Sequence, residues 1–517
     1  MDIHETLPCD PAAVLIQGGN FMSLINISGL TFSYEGSSEN VFENVNIRLD
    51  TDWKLGLVGR NGRGKTTLMK LLTGELSGSG SISSTVEFEY FPYTAADPEM
   101  FTIDVIRETA AEAEDWEIYR EMSLLKMDSD TDYRQFCTLS GGEQVKALLV
   151  GLFLRRNSFL LIDEPTNHLD SDGRRILGEY LSRKKGFIVI SHDRKFLDAC
   201  TDHILSINRC GLEIQKGNYS DWQRNKDMRD NFEISRNEKL KKDIKRLENA
   251  AKRAADWSDR AEKSKIGFDP TKVEKNISRR PYEAAKAKKL MSRSAAISER
   301  RERAITEKEQ LLRNVEQSTE LKIGTLDFHA KQLIQLENVS LRYGEKIVCS
   351  NVDLTVGQGE CVALKGGNGC GKSSILKLIC GENIEYSGNI IKNGQLKISY
   401  VPQNTDHLHG SLKEYAESLG IDISLFLAIL RKLDFSREHF EQNIEKYSAG
   451  QKKKVLIAGS LCEKAHLYIW DEPLNYIDII SRVQIENMIL SGKPSMIFVE
   501  HDEVFCEKIA DKIIELK

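Results

Sequence analysis

Two stretches of this chain could cradle phosphate. One reads Gly59-Arg-Asn61-Gly62-Arg-Gly64-Lys65-Thr66, the other Gly366-Gly-Asn368-Gly369-Cys-Gly371-Lys372-Ser373. Each is a full G-x-x-x-x-G-K-[ST] loop between an apolar run (Leu55–Val58 in the first) and a helix-like run (Thr67–Leu72). The glycines let backbone N–H groups turn toward phosphate, the lysine reaches the β and γ phosphates, and the hydroxyl can hold Mg²⁺. Downstream, Phe159–Ile162 and Leu467–Trp470 are apolar runs that end on carboxylate pairs, Asp163-Glu164 and Asp471-Glu472. Such a pair suits a metal-binding aspartate and a glutamate that positions or activates the attacking water.

Between loop and carboxylates lie Leu139-Ser140-Gly141-Gly142-Glu143 and Tyr447-Ser448-Ala-Gly450-Gln451. A serine and small residues at a helix start offer a hydroxyl, N–H groups and a helix dipole to phosphate. The offsets between the halves are 307 for Gly59 and Gly366, 308 for Ser140 and Ser448 and for Asp163 and Asp471, and 309 for His192 and His501. Motifs that hold register in this way indicate an internal duplication.

The elements that must position these residues follow from the pattern. Leu24–Ile27, Leu30–Tyr34 and Val45–Leu49 read as strands, and Lys512–Leu516 as the last strand. We expect an α/β fold: a lead at 1–21, a first P-loop ATPase domain at 22–220, a basic helical linker at 221–326 and a second ATPase domain at 327–517. Met22 stands just before the first strand, and the lead lacks the makings of a signal peptide. The ten cysteines are scattered without a CxxC pair, which suits a reducing cytosol. Cys370, inside a P-loop, reads as a small buried residue. No apolar run approaches the ~20 residues a membrane span requires.

The linker carries the charge asymmetry. Between Arg224 and Glu316 there are 27 Lys and Arg against 17 Asp and Glu, net +10 in a chain of net −6. From Asp221 to about Ala261, Leu240, Ile244, Leu247, Ala251, Ala254, Ser258 and Ala261 keep coiled-coil spacing. A return helix at about 282–315 carries Ala284, Met291, Ser298, Ile305 and Leu312 at seven-residue intervals, so an antiparallel hairpin is expected. Its tip, about 263–282, holds Lys263, Lys265, Lys272, Lys275, Arg279 and Arg280, a set suited to phosphate contacts. Ile266 and Phe268 at that tip either tie the loop down or wedge against RNA bases or a small molecule.

On these motifs the chain resembles the ABC ATPases. The resemblance adds Asn167–Asp170 and the segment ending at Asp478 as D-loops, His192 and His501 as switch histidines, and Tyr34 and Tyr343 as aromatics that stack on adenine. It implies ATP and Mg²⁺ as cofactors. Thr67, Ser374, Glu143 and Gln451 join the nucleotide-binding set, and Thr66, Asp163, Ser373, Asp471 and Gln403 the metal set. Cassettes of this kind pair head to tail, so the chain would be a monomer with an internal pseudo-dimer. One departure stands out: Tyr90-Phe-Pro-Tyr93 places Tyr93 where Gln403 stands in Tyr400-Val-Pro-Gln403. Either the register is off by a residue or the first site has altered hydrolysis.

Two cassettes without a membrane segment, joined by a basic helical linker, resemble the ABC-F family. The segments Gly56–Lys65, Tyr468–Tyr476 and Lys493–His501 look like its Lsa and Vga antibiotic-resistance branch. That branch implies a cytoplasmic, RNA-binding ATPase at the ribosomal E site. Its linker would point past P-site tRNA toward 23S rRNA of the peptidyl-transferase centre and displace lincosamides, streptogramin A and pleuromutilins. The alternatives are a housekeeping translation factor of that family or an ATPase subunit of a transporter or DNA-repair complex.

Overall fold

The computed structural model describes residues 24–35, 40–167, 169–208, 211–266, 289, 292, 299–300, 303, 324–344, 346–367, 369–435 and 438–516. Met22, Asn368, the tip from Phe268 to Arg280 and almost all of the expected return helix lie outside the described residues, as do the side chains of Lys263, Lys265 and Ile266. The chain divides into two compact units: residues up to Leu57 with Gly64–Ser191, and Val58–Arg63 with His192 onward.

The first unit opens with a three-stranded antiparallel sheet, order β2-β1-β4, from β1 (Leu24–Phe32), β2 (Phe42–Asp50) and β4 (Ser79–Ser83). Leu24–Ile27 and Leu30–Tyr34, expected as two strands, form one strand that ends at Phe32. Gly29, at φ +62°, takes up the register shift between Ile27 and Leu30.

Parallel strands then run in the order β5-β6-β7-β3, from β3 (Lys54–Gly59), β5 (Glu87–Phe91), β6 (Ser158–Asp163) and β7 (Phe187–Ile190). Phe159–Ile162 and Phe187–Ile190 are almost wholly buried. Both faces of such a strand are covered, which is why the sequence runs apolar without alternation. Helices α1 (Lys65–Leu72), α2 (Thr102–Thr109), α3 (Asp115–Leu124), α4 (Gly141–Leu154) and α5 (Ser171–Ser182) complete the unit. The long apolar run Ala147–Leu154 lies in α4, whose Ala147, Leu149 and Val150 are fully buried.

In the second unit, α6 (Arg194–Cys200) precedes the antiparallel hairpin β8 (His203–Asn208) and β9 (Gly211–Lys216). Then α7 runs unbroken over Tyr219–Ile266, 48 residues, two residues earlier and about five later than the sequence predicts. The rest repeats the earlier plan. The antiparallel sheet has the order β11-β10-β13, from β10 (Gln332–Tyr343), β11 (Lys346–Gly357) and β13 (Glu385–Lys392). The parallel sheet has the order β14-β15-β16-β12-β17, from β12 (Cys361–Lys365), β14 (Ile398–Val401), β15 (Leu467–Asp471), β16 (Met496–Val499) and β17 (Lys512–Glu515). Around it lie α8 (Lys372–Cys380), α9 (Leu412–Ser418), α10 (Ile423–Lys432), α11 (Ala449–Cys462), α12 (Ile479–Gly492) and α13 (Glu503–Ile509). Cys370 is only partly buried, against the expectation, and packs against this core.

A buried ion cluster holds α6 in the second unit. The Arg194 guanidinium donates to Glu486 and to Asp502, and Arg482 donates to the same Asp502 oxygen at 3.2 Å. Burial would raise the Asp502 carboxyl, but the two arginines and the Phe505 N–H hold it below the ordinary range. Removing one partner of such a cluster strands the opposite charges. Arg194→Ala is expected to lower stability by about 3 kcal/mol, read as a shift in the denaturation midpoint. A depressed carboxyl stabilises the fold above its unfolded pKa. That contribution should disappear as pH falls through the folded value, and in Arg194→Ala the acid transition should begin at higher pH.

Candidate active sites

Both P-loops rise from the C-terminal end of a buried parallel strand, and the carboxylate pair ends another strand of the same sheet. In the first unit β7 separates β3 from β6, and in the second β16 separates β12 from β15. This spacing leaves a gap the width of one strand between lysine and carboxylate, at the end of the sheet where the helices begin.

The glycines are required by the backbone. Gly62 and Gly64 sit at φ +79° and +89°, Gly369 and Gly371 at +82° and +92°. A Cβ on Gly64 would lie 2.5 Å from Val41, and one on Gly366 2.5 Å from the Cys370 sulfur. Lys65 and Lys372 are both nearly buried. The Lys372 ammonium donates to the carbonyls of Gly366 and Gly367 at 2.9 and 2.8 Å, closing the loop on itself. Tyr34 and Tyr343 are half exposed. Their hydroxyls bond Thr67 at 2.8 Å and Ser374 at 3.3 Å, so each ring stands over the start of its P-loop helix.

At the first carboxylate pair, the Thr66 hydroxyl and the Tyr90 phenol both donate to Asp163 Oδ2 at 3.0 Å. Burial raises the Asp163 carboxyl, against those two bonds and the Lys65 charge. At the second, Asp471 is 1% exposed, and burial raises it too, opposed by the Ser373 hydrogen bond. Its Oδ1 accepts no hydrogen bond. A buried oxygen left open in this way fits a hard cation. Thr66 with Asp163, and Ser373 with Asp471, would hold Mg²⁺, which when bound neutralises phosphate charge.

Glu472 is braced on three sides. Gln403 donates to it at 2.8 Å, Asn475 at 2.6 Å, and His501 Nε2 lies 3.4 Å away. Burial alone would push this carboxyl up; His501, Gln403 and Asn475 bring it below its ordinary value. A carboxylate fixed in this way could orient a water. Glu164 and Glu472 both adopt positive φ, +50° and +46°, a costly conformation for a non-glycine residue. His192 is buried just beyond β7.

Ser140 and Ser448 cap α4 and α11, each accepting from the N–H three residues on, while Glu143 and Gln451 reach back to the cap N–H. Gly141 and Gly142 form the first turn of α4. Gly450 is packed tightly: a Cβ there would lie 2.4 Å from the Tyr476 carbonyl. Inside the second unit, Asn61 donates to that same carbonyl at 2.8 Å, and Arg60 lies 3.4 Å from Asp434.

Three contributors escaped the sequence reading. Asn475 stands at the 308 offset from Asn167, in the D-loop segment that ends at Asp478, but its bond to Glu472 was not visible. Lys453, 2% exposed, donates to the Pro402 carbonyl at 3.0 Å, directly behind Gln403; a lysine in an apolar helix face was the available clue. Tyr90 was visible, but its bond to Asp163 was not. The structure also settles the register at Tyr93. Phe91 pairs with Ile162, and Val401 pairs with Trp470, at equivalent places in the two sheets. Tyr93 and Gln403 each stand two residues beyond, so the tyrosine occupies the glutamine's position.

Fold and sites define an ATPase of two tandem ABC-type domains. The family model for ABC transporter matches residues 42–167 and again 349–475. Among relatives, the ribosome protection protein VmlR of Bacillus subtilis (strain 168) is 29% identical over 496 residues, 92% of this chain and 84% of that protein. The ATP-binding protein Uup of Buchnera aphidicola is 26% identical over 95% of this chain and 80% of its own. The archaeal ribosome recycling factor aABCE1, solved with ribosomal stalk protein aP1, superposes with a TM-score of 0.60. It is 19% identical and covers 94% of this chain and 87% of its own, a likeness of fold.

Asn475→Ala removes one brace from Glu472 without touching the P-loop. We expect kcat for ATP hydrolysis to fall on the order of tenfold with KM for ATP unchanged, measured by phosphate release.

Proposed function

We propose that this ATPase works on the ribosome and protects it from antibiotics of the peptidyl-transferase centre: lincosamides, streptogramin A and pleuromutilins. The observation that carries the reading is α7, a single helix of 48 residues that leaves the hairpin β8–β9 and enters the most basic part of the chain. At 1.5 Å per residue it extends roughly 70 Å, enough to carry its end far from the ATP sites. Surplus Lys and Arg along such a rod favour RNA phosphate without reading base sequence. Among the described residues no helix is long and apolar enough to cross a membrane. Similarity to VmlR, named for ribosome protection, points the same way.

In this reading ATP binding draws the cassettes together, and the linker enters from the E site beside P-site tRNA and 23S rRNA. ATP hydrolysis releases it, with Glu472 in the role of the group that positions water. The protein acts as a monomer in the cytoplasm, without a transmembrane subunit. The tip residues Lys263, Lys265, Lys272, Lys275, Arg279 and Arg280 hold RNA phosphate, and Ile266 and Phe268 reach the drug site.

The double variant Glu164→Gln, Glu472→Gln is expected to co-sediment with ribosomes in ATP; a variant that stays in the free fraction would overturn the reading. Deleting 263–280 should abolish drug tolerance in cells across a susceptibility panel while ATPase activity of the purified protein persists. Tolerance that survives the deletion would remove the tip from the mechanism.

A further inference from the structure

Around the carboxylate pairs the two halves differ at three places, while both keep the P-loop lysine and hydroxyl, Lys65 with Thr66 and Lys372 with Ser373. Gln403 reaches Glu472, whereas Tyr93, at the equivalent position, turns its hydroxyl to Thr109 on α2 at 2.7 Å. A Cβ on Gly151 of α4 would lie 3.2 Å from that hydroxyl, so the phenol is held between the two helices. Lys453 braces the Pro402 carbonyl behind Gln403, whereas the equivalent residue of the first half, by the 308 offset, is the buried aliphatic Val145. Tyr90 donates to Asp163, on the same oxygen that accepts from Thr66, whereas the phenol of Tyr400 has no hydrogen-bond partner and Asp471 keeps an open oxygen.

We propose that the two sites divide the work: the second hydrolyses ATP, and the first keeps its ATP bound through many turnovers of the second. Binding needs Lys65, Thr66 and the loop's N–H groups, all present in the first site. Hydrolysis needs in addition an oriented water. The amide that would help orient it is replaced by a phenol committed elsewhere, and a phenol offers one donor and no amide carbonyl. Loss of such positioning costs on the order of a hundredfold in rate. Tyr90 is a positioning residue in this scheme: its phenol shares the Asp163 oxygen and narrows what that carboxylate can do. The inference depends on the cassettes being ATPases and is independent of the ribosomal reading.

The test is a pulse and chase on the full chain. Protein is loaded with Mg²⁺ and ATP labelled on the α-phosphate, chased with excess unlabelled ATP, and the bound label is separated and identified. A single labelled nucleotide per chain should persist for at least about ten turnovers, as triphosphate, given the hundredfold handicap above. Lys65→Ala should remove it, and Lys372→Ala should abolish turnover while the label stays. Tyr93→Gln with Tyr90→Phe should shorten retention about tenfold and convert the bound label to diphosphate. Label that exchanges fully at the turnover rate, or that is retained as diphosphate in the unmodified chain, overturns the proposal. So does a label that survives Lys65→Ala.

Discussion

The constraint on which the rest depends is the burial of carboxylate at the end of a hydrophobic strand. Asp471 is 1% exposed and is followed at once by Glu472, a second acid. Two like charges there would drive each other neutral unless each had its own partners. The fold separates their fates. Asp471 faces the P-loop hydroxyl and lysine, and Glu472 turns through positive φ toward Gln403, Asn475 and His501. The two neighbouring carboxylates thereby face different partners, one the P-loop and the other the amides and the histidine.

That separation explains much of the surrounding architecture. Neutral Gln403 and Asn475 can support Glu472 without fixing another charge beside the phosphate. Lys453 supplies a cation from behind, with its ammonium on the backbone carbonyls of Pro402 and Asp471 rather than on a carboxylate. In the second half three polar groups gather on and behind Glu472, and of them Lys453 is the buried one. At Tyr93 and Val145 the first half has a phenol and an aliphatic side chain instead.

What could be read beforehand was what depends on local chemistry. The G-x-x-x-x-G-K-[ST] loops, the apolar runs before Asp163 and Asp471, and the serine caps of α4 and α11 each carry their structural reason within a few residues. The repeat offsets placed both cassettes. What could not be read depends on strands distant in sequence meeting in space. The bond from Tyr90 to Asp163 spans 73 residues and that from Lys453 to Pro402 spans 51. The merger of Leu24–Phe32 into one strand was hidden by Gly29, which looks like a break and serves as a bulge. Arg194 gave no hint that its partners lay 292 and 308 residues away.

The root of α7 is seated firmly: Tyr219 and Trp222 are 3% and 5% exposed, with ring centroids 5.6 Å apart. From that seat the helix runs on without proline or glycine to Ile266. Such a rod converts angle into displacement. A swing of only about 5° at the buried rings sweeps a point some 70 Å away through roughly 6 Å, about the size of a small-molecule ring system. Motions too slight to notice at the socket become, by leverage alone, full steps at the far end.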